Sequence, residues 1–236
     1  MLSAADTLLE LSAVDAELTQ RRIARRRLPE REHAAAASQA VAEWEGERSR
    51  LTARIDELTT VIDQAEARGA ELTATKERLE AQMKTVIAPR EAEALMHEIA
   101  TIDGQRDELD LAELGALEEQ SELDDRLAAH LGQQDGLRTA AVQADERLAL
   151  AVADIDNEID TLDPRRAELR AALDERTARQ YDRLFDSLGG AVGKLDGGRC
   201  NGCHLDLSAA EVDTARDEAA ADGFTDCPQC GRLLVV

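Results

Sequence analysis

Aromatic side chains are almost missing from this chain. Trp44, Tyr181, Phe185 and Phe224 are the only four in 236 residues. That scarcity excludes a thick globular core of ordinary composition, because aromatic rings supply much of the area such cores bury. Proline is equally rare: Pro29, Pro89, Pro164 and Pro228. Long stretches are therefore free of the residue that removes a helical hydrogen bond. No apolar run approaches the roughly 18 to 20 residues of a membrane span. The N-terminus, Met1-Leu2-Ser3-Ala4-Ala5-Asp6, has no basic region followed by an apolar one, so it does not read as a signal peptide. Basic residues are the minority, 28 against 50 acidic ones, for a formal charge of −22. That balance opposes non-specific binding to nucleic acid or anionic membrane. The expectation is a soluble cytoplasmic protein with no membrane partner.

Cysteine is scarce too, yet its placement is the most informative feature. The four cysteines form two C-x-x-C pairs, Cys200-Asn201-Gly202-Cys203 and Cys227-Pro228-Gln229-Cys230, with 23 residues between them. This grouping predicts a four-thiolate structural metal site. Zinc suits four soft sulfur ligands in a tetrahedron. Each pair has a glycine to supply a tight turn, Gly202 inside the first and Gly231 just after the second. Disulfides are the competing reading, but nothing else points to an oxidising compartment. A thioredoxin-like redox pair would need a βαβ pattern, and neither pair has one. His204 follows the first pair and reads as a surface residue or one behind the ligands. Four protein ligands leave no open position for substrate, so the site reads as structural and the protein as no enzyme.

What the chain has in quantity is helix-forming residues in a seven-residue repeat. Ser3 is a plausible N-cap for a helix to about Leu28, carrying Leu11, Val14 and Leu18 on one face. Pro29 predicts a kink or short break. A strict 4-3 seam then runs from Leu51 through Ile55, Leu58, Ile62 and Leu72 to Val86. A second runs from Leu95 through Ile99, Ile102, Leu123, Leu127 and His130 to Ile155, Glu158 and Leu162. A sustained heptad implies a coiled coil. Pro89 suits the first turn of a new helix, with Glu91 and Glu93 near its positive end. The fold class is therefore mainly α: a long antiparallel coiled-coil helical hairpin over residues 1–188, tip near 85–90, plus a small C-terminal zinc ribbon over 189–236. Asp163-Pro164 reads as an N-cap and a first helical residue, so the second arm is expected to restart there. Gly189-Gly190 stops it.

In the ribbon, residues 191–195 and 233–236 read as strands. Ser208 and Glu211 form a capping-box signature for a helix of roughly 208–220. So small a unit buries little, and metal should carry its folding; structural zinc contributes about 10–16 kcal/mol of apparent binding energy.

Two sets of arginines are candidates for partner or nucleic-acid contacts. Arg21, Arg22, Arg25, Arg26 and Arg27 cluster on the first arm. A hairpin would bring Asp154, Asp156, Glu158 and Asp160 near them, so flanking ion pairs are the simpler reading. Arg199 and Arg232 sit beside the knuckles. From Gly189 onward, however, eight acidic residues face four basic ones, which weakens any phosphate grip. Trp44 lies in the seam and reads as core; His33, His97 and His130 show no ligand spacing.

The order of parts resembles a bacterial family of C4-type zinc-ribbon proteins with an N-terminal coiled-coil hairpin, similar to flagellar regulators and sigma-factor chaperones. Gly198-Arg199-Cys200-Asn201-Gly202-Cys203 and Cys227-Pro228-Gln229-Cys230-Gly231-Arg232 carry the likeness, with Pro89-Arg90-Glu91-Ala92-Glu93-Ala94-Leu95 at the tip. Ala88 stands where that family often has asparagine. The resemblance implies one zinc on Cys200, Cys203, Cys227 and Cys230, and no enzymatic activity. Some of its members look like regulators that bind a flagellin messenger RNA and the nitrogen-type sigma factor; a chlamydial one is linked to type III secretion. The expected function is a non-enzymatic adaptor that binds a protein partner in transcription or secretion. The alternative is a regulator that binds RNA or DNA. The oligomeric state is expected to be monomer or weak dimer.

Overall fold

The computed structural model describes residues 2–236. The chain divides into two compact units, Met1–Glu32 with Glu146–Val236, and His33–Asp145. Five helices come first: α1 (Ala4–Arg26), α2 (Pro29–Met83), α3 (Pro89–Leu131), α4 (Gln134–Ala172) and α5 (Glu175–Leu188). No described helix is long and apolar enough to cross a membrane.

The unit His33–Asp145 is a helical hairpin with its turn at residues 84–88. Pro89 opens α3 as its first residue, with Glu91 in the first turn. Apolar side chains close the seam in two clusters. Leu72, Leu79 and Ile102 pack nearer the turn, and Leu51, Leu58, Ile62, Ala116 and Leu123 pack further out. Polar side chains fix the antiparallel register between them. Lys76 Nζ lies 2.5 Å from Asp103, and Gln120 donates to Thr59 Oγ1 at 2.8 Å. Arg54 grips Glu119 with two hydrogen bonds of 2.8 and 2.9 Å.

The unit Met1–Glu32 with Glu146–Val236 is built differently. Arg27 caps α1 and Pro29 begins α2, so the interruption expected at proline is a break of two residues. Leu8, Leu11, Val14 and Leu18 of α1 are buried against Leu169, Leu173, Ala178 and Tyr181. The same cluster contains Ala191 and Leu233, with Val192 and Phe224 packed against it. Residue 188 thus marks a change of secondary structure within one continuous core. Asp15 is nearly fully buried. It is satisfied on both oxygens: Arg166 Nε donates to Oδ1 at 2.6 Å and the Tyr181 hydroxyl to Oδ2 at 2.7 Å. Burial and that carboxylate push the Tyr181 phenol well above its usual range. Arg170 pairs with Asp182 at 2.7 Å. This polar network binds α1, α4 and α5 into one bundle.

Three expectations need correction. Pro164 lies inside α4 and does not restart it; the Asp163 side chain is held by Arg22 at 3.2 Å instead of capping a helix. The breaks lie elsewhere: at residues 132–133, between α3 and α4, and at Asp174, whose carboxylate accepts from the backbone N–H of Arg176 and Thr177 and caps α5. Glu158 is exposed, and Ile159 takes the packing position against α1.

Gly189 ends α5 in the left-handed conformation, φ 67°. A small sheet follows: β1 (Val192–Asp196), β2 (Arg199–Cys200), β3 (Phe224–Asp226) and β4 (Leu233–Val235), in the order β2-β1-β4-β3. β1 and β4 are parallel, and the outer pairs are antiparallel. Helix α6 (Ala209–Glu218) bears the full capping box between Ser208 and Glu211.

Candidate metal centre

All four cysteine sulfurs lie within 4.8 Å of one another. A tetrahedral site with metal–sulfur bonds of about 2.3 Å needs sulfurs about 3.8 Å apart, so the donor set fits such a metal. None of the four is joined in a disulfide. Cys200 and Cys227 are buried, Cys203 and Cys230 half-buried.

Two similar turns bring them together. In the first, Cys200 N–H donates to Leu205 O and His204 N–H donates back to Cys200 O. In the second, Cys227 N–H donates to Arg232 O and Gly231 N–H to Cys227 O. Each turn closes on a residue in the left-handed region: Gly231 at φ 72°, and His204 at φ 62°. The turn glycine expected at Gly202 is therefore misplaced by two residues. Gly202 is needed for space. A Cβ there would lie 3.1 Å from Gly193 Cα and 3.2 Å from Val192 O. Gly193 is needed for the same reason, since its Cβ would stand 2.8 Å from Cys200 Sγ. His204 itself is exposed. Placing Cys200–His204 over Cys227–Gly231 in the sequence puts His204 in Gly231's place, and that alignment is the signal that finds it.

Backbone N–H groups are aimed at the sulfurs. Burial pushes the Cys227 thiol up to about 12, against hydrogen bonds from Gln229 and Cys230 N–H. At Cys230 burial also opposes the thiolate, but hydrogen bonds from the Arg232 backbone and side chain outweigh it and bring the thiol to about 7. Metal binding requires thiolates, and these donors favour them.

The candidate arginines fare differently from one another. Arg25 holds Asp156 through two hydrogen bonds of 2.6 and 2.9 Å. Arg21 reaches Glu158 at 3.1 Å and Arg22 reaches Asp163. Arg26 and Arg27 are exposed and have no acidic partner among the described residues. Arg199 Nε donates to His204 O at 2.9 Å. Arg232 Nε donates to Gly190 O at 2.9 Å and its Nη2 to Leu188 O at 3.4 Å. It thereby ties the second knuckle to the end of α5. Asn201 pins the first knuckle to β1 by bonding both the N–H and C=O of Lys194.

Comparison with known proteins returns the same architecture. A family model described as the CT398-like coiled coil hairpin domain matches residues 11–189. The uncharacterized protein Rv2229c of Mycobacterium tuberculosis is 30% identical over 235 residues, which span 97% of this chain and 94% of that one. CT398 from Chlamydia trachomatis superposes with a TM-score of 0.82 at 19% identity, covering 98% of this chain and 97% of that one. A Mycobacterium smegmatis structure follows at 0.78 and 24%, with the same coverages. HP0958 from Helicobacter pylori gives 0.60 at 15%, covering 100% and 99%. At these identities the solved structures show a shared fold.

Proposed function

The chain belongs to the CT398-like coiled coil hairpin domain family, and on that premise we propose that it is a non-enzymatic, zinc-stabilised adaptor that holds a protein partner. Cys200, Cys203, Cys227 and Cys230 would hold one Zn2+, which supplies folding energy to the ribbon. Four thiolates complete a tetrahedron, which argues for a structural role over a catalytic one. A four-thiolate metal site suits a reducing, cytoplasmic setting.

The observation that carries the preference for a protein partner is the internal use of the arginines. Arg21, Arg22 and Arg25 spend their charge on Glu158, Asp163 and Asp156. Arg232 is spent on carbonyls. What remains of the arm cluster is Arg26 and Arg27, too little for a phosphate-driven grip on a chain of formal charge −22. The partner belongs to transcription or secretion in this reading.

The test is affinity capture from the native cell with the full chain. One stoichiometric protein, retained at physiological salt and insensitive to nuclease, is expected. Recovery of RNA or DNA alone, lost when Arg26 and Arg27 become glutamate, would overturn the reading in favour of a nucleic-acid regulator.

A further inference from the structure

Outside the metal centre and the arm cluster, one charged face has no use inside the molecule. Helix α5 carries Arg176, Arg179 and Arg183 three and four residues apart, which places them on one side of the helix. All three are exposed. Together with Glu175 they line one shallow surface depression. Only Arg179 forms an ion pair among the described residues, with Glu175 of the same helix at 2.7 Å. Such an exposed pair contributes little and exchanges readily for a better one. The arginines of α4 contrast with them: Arg165, Arg166 and Arg170 meet Glu10, Asp15 and Asp182.

The stripe is also held rigidly. Thr177, Ala178 and Tyr181 on the opposite side of α5 are buried, and the Tyr181 hydroxyl is fixed on Asp15. Asp174 caps the helix start. The helix cannot rotate without breaking these contacts, so the three guanidinium groups are presented in a set spacing. Preorganisation of that kind lowers the ordering cost of binding.

We infer that the Arg176–Arg179–Arg183 face of α5 is the docking surface for an acidic helix of a partner protein, one that presents carboxylates three and four residues apart. Guanidinium forks pair with carboxylates in two parallel hydrogen bonds. Charge decides against a nucleic-acid strand. The groove that continues from Arg176 toward the ribbon is lined by Asp174, Asp222 and Asp226, which would repel a phosphate chain running on. A helix can stop at Arg176, or turn basic beyond it. Base stacking has little platform there either: Tyr181 is buried, and half-buried Phe224 is the one aromatic lining that groove, set among the aspartates. The inference rests on the adaptor reading and assigns it a surface.

The probe is an alanine-based helical peptide with three glutamates at that spacing, titrated by fluorescence anisotropy into the full-length, metal-loaded chain. Its glutamine counterpart should bind at least about tenfold more weakly. The R176E/R179E/R183E chain should lose the glutamate peptide and gain a lysine version of it. Circular dichroism and metal content confirm that this variant is folded. Equal binding of the glutamine peptide, an unaltered affinity in the variant, or tighter binding of a single-stranded RNA at the same stripe would each overturn the assignment. The same variant in affinity capture separates the two claims. A partner still retained leaves the adaptor reading standing and removes this surface, whereas peptide binding with no protein ever captured removes the adaptor reading and leaves only the stripe's affinity for acidic helices.

Discussion

Trp44 and His130 hold each other across the hairpin by a reciprocal pair of side-chain-to-backbone hydrogen bonds. The indole Nε1 donates to His130 O at 2.8 Å, and His130 Nε2 donates to Trp44 O at 2.9 Å. Their rings stack with centroids 5.3 Å apart, and the Arg48 guanidinium lies 5.5 Å above the indole. Trp44→Phe removes one of these bonds and leaves the carbonyl near the end of α3 without that donor. That carbonyl keeps the Gln133 N–H at 3.1 Å, so a loss of about 0.5–1.5 kcal/mol in urea unfolding is expected for the bond. Trp44 is the sole tryptophan and is buried, so wild-type emission should shift red on unfolding. An unchanged midpoint in Trp44→Phe would remove the pair from the account.

The buried Asp15 gives a second prediction. Tyr181→Phe keeps the ring but withdraws the donor to Oδ2. An unsatisfied buried acceptor costs about 1–3 kcal/mol. The double-mutant cycle of Tyr181→Phe with Asp15→Asn should show coupling, read from urea midpoints. Additive losses would mean the two side chains act separately.

Acid should weaken the flanking pairs. The hydrogen bond from Arg25 holds the Asp156 carboxylate below its usual range, and Arg54 does the same to Glu119. A carboxylate depressed in the folded state stabilises above its unfolded pKa. That contribution is lost as pH falls through the lower folded value, so the window lies below about 4. Both pairs are solvent-exposed, which makes the effect small and salt-sensitive. Wild type should lose more between pH 5 and 3 than Arg25→Gln with Arg54→Gln, at low salt. Equal losses would show that the pairs are idle.

The left-handed turn residues predict an asymmetry between the knuckles. Gly231→Ala forces a Cβ into φ 72°, at a cost of about 1–2 kcal/mol, and metal affinity measured by chelator competition should fall accordingly. His204→Gly relieves strain and should not weaken binding. A His204→Gly chain with lower affinity would instead implicate the imidazole.

The hairpin was legible because heptads report directly which side faces a partner helix. Leu51 to Leu79 and Leu95 to Leu127 pack as the repeat demands. Its ends were less so. Pro164 marks no end, because the helix tolerates one missing hydrogen bond there; the end is written in Asp174, with Thr177 three residues on. The cysteines announced their cluster by spacing alone. What spacing does not carry is contact between segments far apart in the chain, so the shared core of Leu11 with Leu233 and the Asp15–Tyr181 bond escaped. Periodicity also shows which residues share a face without showing which charges find partners. The arm arginines stand out in the sequence as a cluster, whereas the exposed stripe on α5 shows only once the partners of each charge are placed.

The shared core refines what metal loss should do. Chelation should melt the knuckles yet leave α2 and α3 helical, while exchange protection falls in α1 and α5, which pack on the sheet. Uniform loss of far-ultraviolet helical signal would contradict this.

Metal content by elemental analysis of the protein purified without added metal tests the central claim most directly. One zinc per chain is predicted, falling to near zero in Cys203→Ser with Cys230→Ser. Purified, folded wild-type protein that holds no stoichiometric metal, with all four thiols free to titrate, would contradict it.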